Sequence, residues 1–117
     1  MADITITQGD DEVQSWVIYD DSGDPLDITG GKLWFTVKTN YIQTDPGELQ
    51  LTSPSSGLVL TSAADGEVTM TITNTQSAAL TAQTYVYDIQ FKDVNGKITT
   101  LETGTLEVKP QVTTSTS

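Results

Sequence analysis

The chain has 117 residues, sixteen of them acidic and five basic, giving a formal charge of −11, and it contains no cysteine and no histidine. This length suits one domain with a modest core. The missing thiols and imidazoles exclude disulfides, thiolate metal sites and any nucleophile that relies on a histidine base. All five basic residues are lysines. So acidic a chain lacks the basic footprint needed for nucleic acid or an anionic membrane, which argues against both as partners. No apolar run approaches the roughly 20 residues of a membrane-spanning helix. The first residues lack the basic and apolar regions of a signal peptide, which predicts synthesis in the cytoplasm.

Residues 3–8 alternate Ile4 and Ile6 with polar neighbours and predict a short first strand, broken by Gly9-Asp10-Asp11. Residues 13–20 predict a second. Its faces are ambiguous, and the reading taken places Trp16 and Ile18 inside with Val17 and Tyr19 partly covered. A turn at 20–25 ends in Gly23 and leads through Leu26, Ile28 and Gly30-Gly31 to a strand at 32–38. There Leu33, Phe35 and Val37 share the core face, which leaves the large Trp34 facing outward. Residues 40–57 have no sustained period and read as a long loop with a short strand at 49–51. Leu58 and Leu60 suggest an edge strand. After the turn at Ala64-Asp65-Gly66, residues 67–73 alternate cleanly, with Val68, Met70 and Ile72 inside.

The one helical candidate spans 74–80, capped by Asn74 or Thr73, and is short enough to need pinning by Leu80. A hairpin at 84–109 follows, with Tyr85, Tyr87, Ile89 and Phe91 on one face of its first strand. A two-residue Asn95-Gly96 turn would set Ile89 against Glu102. A three-residue loop, Val94-Asn95-Gly96, sets Ile89 against Leu101 and Phe91 against Thr99, so the apolar pattern favours it. Leu106 and Val108 are then out of phase with Leu101, which predicts a bulge near Thr103-Gly104. The fold class is therefore all-β: an antiparallel β-sandwich of about seven strands with one short helical turn. Its predicted core is Ile6, Trp16, Ile18, Leu33, Phe35, Val37, Val68, Met70, Ile72, Tyr85, Tyr87, Ile89 and Phe91. A single domain should cover 1–110, with a fraying Thr/Ser tail at 111–117.

Three groups are candidates for chemistry. Asp20, Asp21, Asp24 and Asp27 are dense enough for a calcium loop, but the spacing matches no EF-hand, and Asp, Ser and Gly favour turns in their own right. Paired carboxylates of the glycosidase kind are weakly supported, because nearly all acidic residues sit in turns or on solvent faces. Asp88 is the exception. It lies mid-strand on the outward face, where a hydrogen bond to a turn or a neighbouring strand is its plain explanation. Trp34 and Tyr41, with Tyr19, could stack on sugars or anchor a protein interface. The competing reading folds the 40–57 loop over Trp34 and buries it. No metal or cofactor is expected, and no enzyme.

Several segments together resemble the N-terminal domain of phage baseplate upper proteins and related Ig-like modules of phage tails. They are Ile6-Thr7-Gln8-Gly9-Asp10, the run from Tyr19 through Pro25-Leu26-Asp27-Ile28-Thr29-Gly30, Phe35-Thr36-Val37-Lys38 and Gly66-Glu67-Val68-Thr69. Residues 75–80, Tyr85-Val86-Tyr87-Asp88-Ile89-Gln90 and Gly96-Lys97-Ile98-Thr99-Thr100-Leu101 complete the set. Order and spacing hold from residue 4 to residue 108. The resemblance implies an Ig-like sandwich with a structural place in the virion, docking on other tail proteins as an oligomer and without catalysis. The family domain usually precedes a coiled or receptor-facing region. The lack of one after residue 110 implies a stand-alone assembly, decoration or fibre-attachment piece. A carbohydrate-binding or adhesive module is the alternative.

Overall fold

The computed structural model describes residues 3–45, 47–53 and 56–112. The tail expected to fray lies outside them from residue 113 on, as do Pro46, Pro54 and Ser55 of the expected long loop. Eight strands are formed by the described residues: β1 (Asp3–Thr7), β2 (Glu12–Val17), β3 (Lys32–Lys38), β4 (Leu49–Thr52), β5 (Leu58–Ser62), β6 (Glu67–Ile72), β7 (Thr84–Lys92) and β8 (Ile98–Lys109). One α-helix, α1 (Asn74–Ala79), joins β6 to β7, and a 3-10 turn at Ala63–Asp65 joins β5 to β6. The strands build two sheets, β1-β8-β7-β3-β4 and β2-β6-β5. In immunoglobulin lettering the smaller sheet is B-E-D and the larger carries G-F-C-C′, which is the strand order of an Ig-like sandwich.

The sandwich forms because alternation gives every long strand one apolar face. Leu33, Phe35 and Val37 of β3 meet Tyr85, Tyr87, Ile89 and Phe91 of β7 on the inner side of the larger sheet. Val68, Met70 and Ile72 of β6 face them from the smaller sheet, and all ten are buried. Phe35 and Tyr87 pack with ring centroids 5.0 Å apart at 32°. Each side chain fully removed from water contributes about 1.5–3 kcal/mol, so this double layer dominates the stability. The expected core is buried except for Trp16, which is half-buried and packs against the core edge. Ile4, Ile28, Leu51, Leu58, Leu80, Leu106 and Val108 join it. Leu80 thereby pins α1 as expected. Tyr19, expected to be partly covered, is instead exposed, and its backbone forms an isolated bridge to Pro25 outside the named strands.

Two corrections concern pairing. The sandwich is not antiparallel throughout, because β1 runs parallel to β8, with Ile4 opposite Leu106 and Ile6 opposite Val108. Alternation fixes which face a strand buries and is silent on the direction of its neighbour. The β7–β8 hairpin does turn through Val94-Asn95-Gly96, and Phe91 lies opposite Thr99. Its bulge comes earlier than expected, however. Gln90 pairs with Thr100 and Ile89 with Glu102, so Leu101 is the extra residue and Gly104 stays in register opposite Tyr87. The pairing of Ile89 with Glu102, rejected as a product of the wrong turn, is reached through the bulge. An inserted residue at any point before Leu106 restores the phase, so the apolar pattern could not locate it.

The turns explain the acidic clusters. The Asp93 carboxylate accepts the N–H groups of Asn95 and Lys97, both at 2.9 Å, and Gly96 takes φ 88°. Asp20 repeats this arrangement with Ser22 (2.9 Å) and Asp24 (3.0 Å), and Gly23 takes φ 83°. The turn before β6 also closes on a left-handed glycine, Gly66, but Ser62 pairs with Glu67, so that loop is one residue longer. Thr73 caps α1 through a full capping box with Gln76. The 8–11 turn latches onto α1 and the chain after it. Asp11 accepts the Asn74 N–H (2.7 Å), Ser77 donates its hydroxyl to the Asp10 carbonyl (2.8 Å), and the Gln8 amide donates to the Leu80 carbonyl (2.7 Å).

Candidate functional site

Strand pairing aligns the outward side chains of the larger sheet into rows. Thr36 pairs with Gln50 on one side and Asp88 on the other, and Asp88 pairs with Thr103, which makes one row across β4, β3, β7 and β8. The next row is Thr52, Trp34, Gln90 and Thr100. Both rows lie on the face opposite the core, since Leu33, Phe35 and Val37 occupy the alternate positions of β3. Within the rows the Gln50 amide donates to the Thr36 hydroxyl (3.1 Å) and the Gln90 amide to the Thr100 hydroxyl (3.3 Å).

These rows floor a groove of about 350 Å³, lined by Trp34, Gln50, Asp88, Gln90 and Thr103 among others and rimmed by Lys38, Tyr41 and Asp45 of the β3–β4 connection. That connection is not featureless. Gln43 accepts from the Thr39 N–H (2.8 Å) and donates to Glu48 (2.7 Å), while Asn40 accepts the Ile42 N–H (3.1 Å). Through Tyr41 and Asp45 it forms one wall of the groove that Trp34 also lines. The indole is half-buried, neither covered nor fully outward. Lys32 Nζ lies 5.1 Å from its ring centroid, a cation–π contact outside the groove lining.

Electrostatics set Asp88 apart. Burial holds its carboxyl above the ordinary carboxylate value, with the nearby Lys38 ammonium pulling the other way and Asp45 reinforcing the rise. Lys38 itself is paired with Asp45 at 2.7 Å. The hydrogen bond to a turn or neighbouring strand expected of Asp88 is not formed, and among the described residues its carboxylate accepts none. On the inner side, the Tyr87 phenol is pushed up to about 12, first by burial and then by Glu102 and Asp3. It is thus a neutral hydroxyl at any physiological pH.

Of the three residues singled out from sequence, the structure brings Trp34 and Tyr41 to one groove and leaves Tyr19 away from it. Tyr41 and its neighbour Ile42 are 75% and 92% exposed at the tip of the wall. Gln50 and Gln90 are groove residues that sequence reasoning passed over, and Asp88, noted there for its position, was not placed beside Trp34. Asp88 was visible as an acid in the middle of an alternating strand, between Tyr87 and Ile89. The glutamines carry no signal before the register is known. Within the Asp20–Asp27 cluster, the Asp20 and Asp27 carboxylates are taken up by turn N–H groups, those of Ser22 and Asp24 and that of Thr29. The Asp27 carboxyl is held below its ordinary value by the Thr29 hydroxyl and backbone N–H, and no metal-binding group of three or more acidic side chains occurs among the described residues. Comparison of this sequence with protein-family models and with curated proteins finds no match.

Proposed function

We propose that this chain is a non-catalytic structural component of a bacteriophage tail or baseplate, acting through protein–protein contacts and as a homo-oligomer within the virion. Support comes from the segment-by-segment resemblance, and from the fold, which is of the Ig-like kind that the resemblance implies. The observation that carries the assembly role is the pair Tyr41–Ile42, two large apolar side chains held out in water on a wall braced by Gln43 and Asn40. Exposed apolar anchors on a strongly acidic chain suit docking into a partner's pocket. The charge of −11 keeps free copies apart until such a contact forms.

Light scattering over a concentration series tests the oligomer directly. Mass should rise with concentration for the native chain, and Ile42→Asp should hold it at the monomer. A native chain that stays monomeric throughout, and that fails to co-sediment with tail proteins, contradicts the reading.

A further inference from the structure

We infer that the groove between Trp34 and Asp88 is a binding site for a short, neutral saccharide. Its volume of about 350 Å³ falls at the small end of ligand pockets, which run from about 300 to 1,000 Å³. The floor combines one aromatic plate with groups of mixed hydrogen-bonding character. Trp34 contributes indole surface to the lining, and the C–H side of a pyranose ring packs on such a surface. Asp88 is acceptor-only and has no hydrogen-bond partner among the described residues. Gln50 and Gln90 each use one amide N–H within their row, which leaves their carbonyl oxygens and second N–H groups for a ligand. Sugar hydroxyls donate and accept at once, so they can engage both kinds of group.

Charge narrows the class. An anionic sugar would meet Asp88 and Asp45 on a chain of net charge −11. A cationic ligand would have to compete with Lys38, already paired to Asp45 at 2.7 Å and close to Asp88. A neutral, hydroxyl-rich molecule meets neither obstacle, and its hydroxyls can donate to the partly buried Asp88 carboxylate. This site does not depend on the assembly role, and the two readings fail separately: particle composition tests one and saccharide titration the other.

The test is calorimetric and NMR titration of the whole chain with short oligosaccharides of glucose, galactose, N-acetylglucosamine and rhamnose, alongside uronic-acid and sialic-acid counterparts and a lysine-rich peptide. At least one neutral saccharide should bind saturably, shifting the amides of Trp34, Asp88 and Gln90. Trp34→Ala and Asp88→Asn should each weaken it about tenfold or more, while Tyr19→Ala, away from the groove, leaves it unchanged. If Trp34→Ala lowers the melting temperature below the range of the experiment, Gln90→Ala serves in its place, with the same loss expected. Failure of every neutral saccharide to bind, preference for an acidic sugar or the peptide, or affinity insensitive to these substitutions overturns the inference.

Discussion

The Tyr85 hydroxyl donates to the backbone carbonyl of Thr81 at 2.8 Å, closing the corner between α1 and β7. Tyr85 is 1% exposed, so the bond lies where the two sheets meet the connecting chain. This is the tyrosine corner of Ig-like sandwiches, built without the disulfide that antibody domains place nearby. Tyr85→Phe keeps the ring and removes only the donor. It should cost about 1–2 kcal/mol, read as a lower urea midpoint with an unchanged slope. Wild-type stability in that variant would show that the corner is decorative.

The capping box at α1 makes a second, smaller claim. Thr73 accepts the Gln76 N–H through its hydroxyl while Gln76 accepts the Thr73 N–H, at 3.2 and 2.9 Å. Thr73→Ala should lose about 1 kcal/mol and Thr73→Ser only a few tenths. Equal losses in the two variants would place the effect in packing instead of capping.

Glycine substitutions separate conformational strain from crowding. Gly23 and Gly96 have positive φ, and no atom lies within 4 Å of where a Cβ would go. Alanine at either should cost about 1–2 kcal/mol, the price of the left-handed backbone alone. Gly31 has ordinary φ, but its Cβ would come within 2.8 Å of the Lys92 carbonyl oxygen, so Gly31→Ala should cost more than either. Thermal melts of the three variants give the order directly.

The raised carboxyl of Asp88 gives a pH dependence of fixed sign. Its folded-state pKa lies above the unfolded value of 3.8, so ionisation favours the unfolded chain. The resulting penalty is absent below pH 3.8, grows as pH rises, and is complete above the folded pKa. Asp88→Asn should therefore be slightly more stable than the native chain at neutral pH, the partial exposure of the carboxyl keeping the gain small. The difference should vanish below pH 3.8. A variant less stable at pH 7 would mean that the carboxylate has a favourable partner in the fold.

Much of this architecture was legible in the alternation of residues. Leu33, Phe35, Val37 and the Tyr85-to-Phe91 face announced two packed layers, and Asn95-Gly96 with its preceding valine announced a three-residue loop. The parallel pairing of β1 was not legible, because Ile4 and Ile6 present the same face whichever way the neighbouring strand runs. Nor was the bulge at Leu101, where glycine content pointed to Gly104 and backbone geometry chose otherwise. The groove was half legible. Trp34 stood out as a large residue on an outward face. Gln50, Asp88 and Gln90 become its neighbours only through pairings between β3, β4 and β7, partners separated by up to half the chain.

The proposed virion role is tested most directly by mass spectrometry of purified phage particles from lysates that contain this chain. The intact chain should be found in washed particles, at a fixed ratio to the tail proteins and retained through a density gradient. Its recovery only in the soluble fraction of the lysate, with none in the particles, would contradict a structural place in the virion.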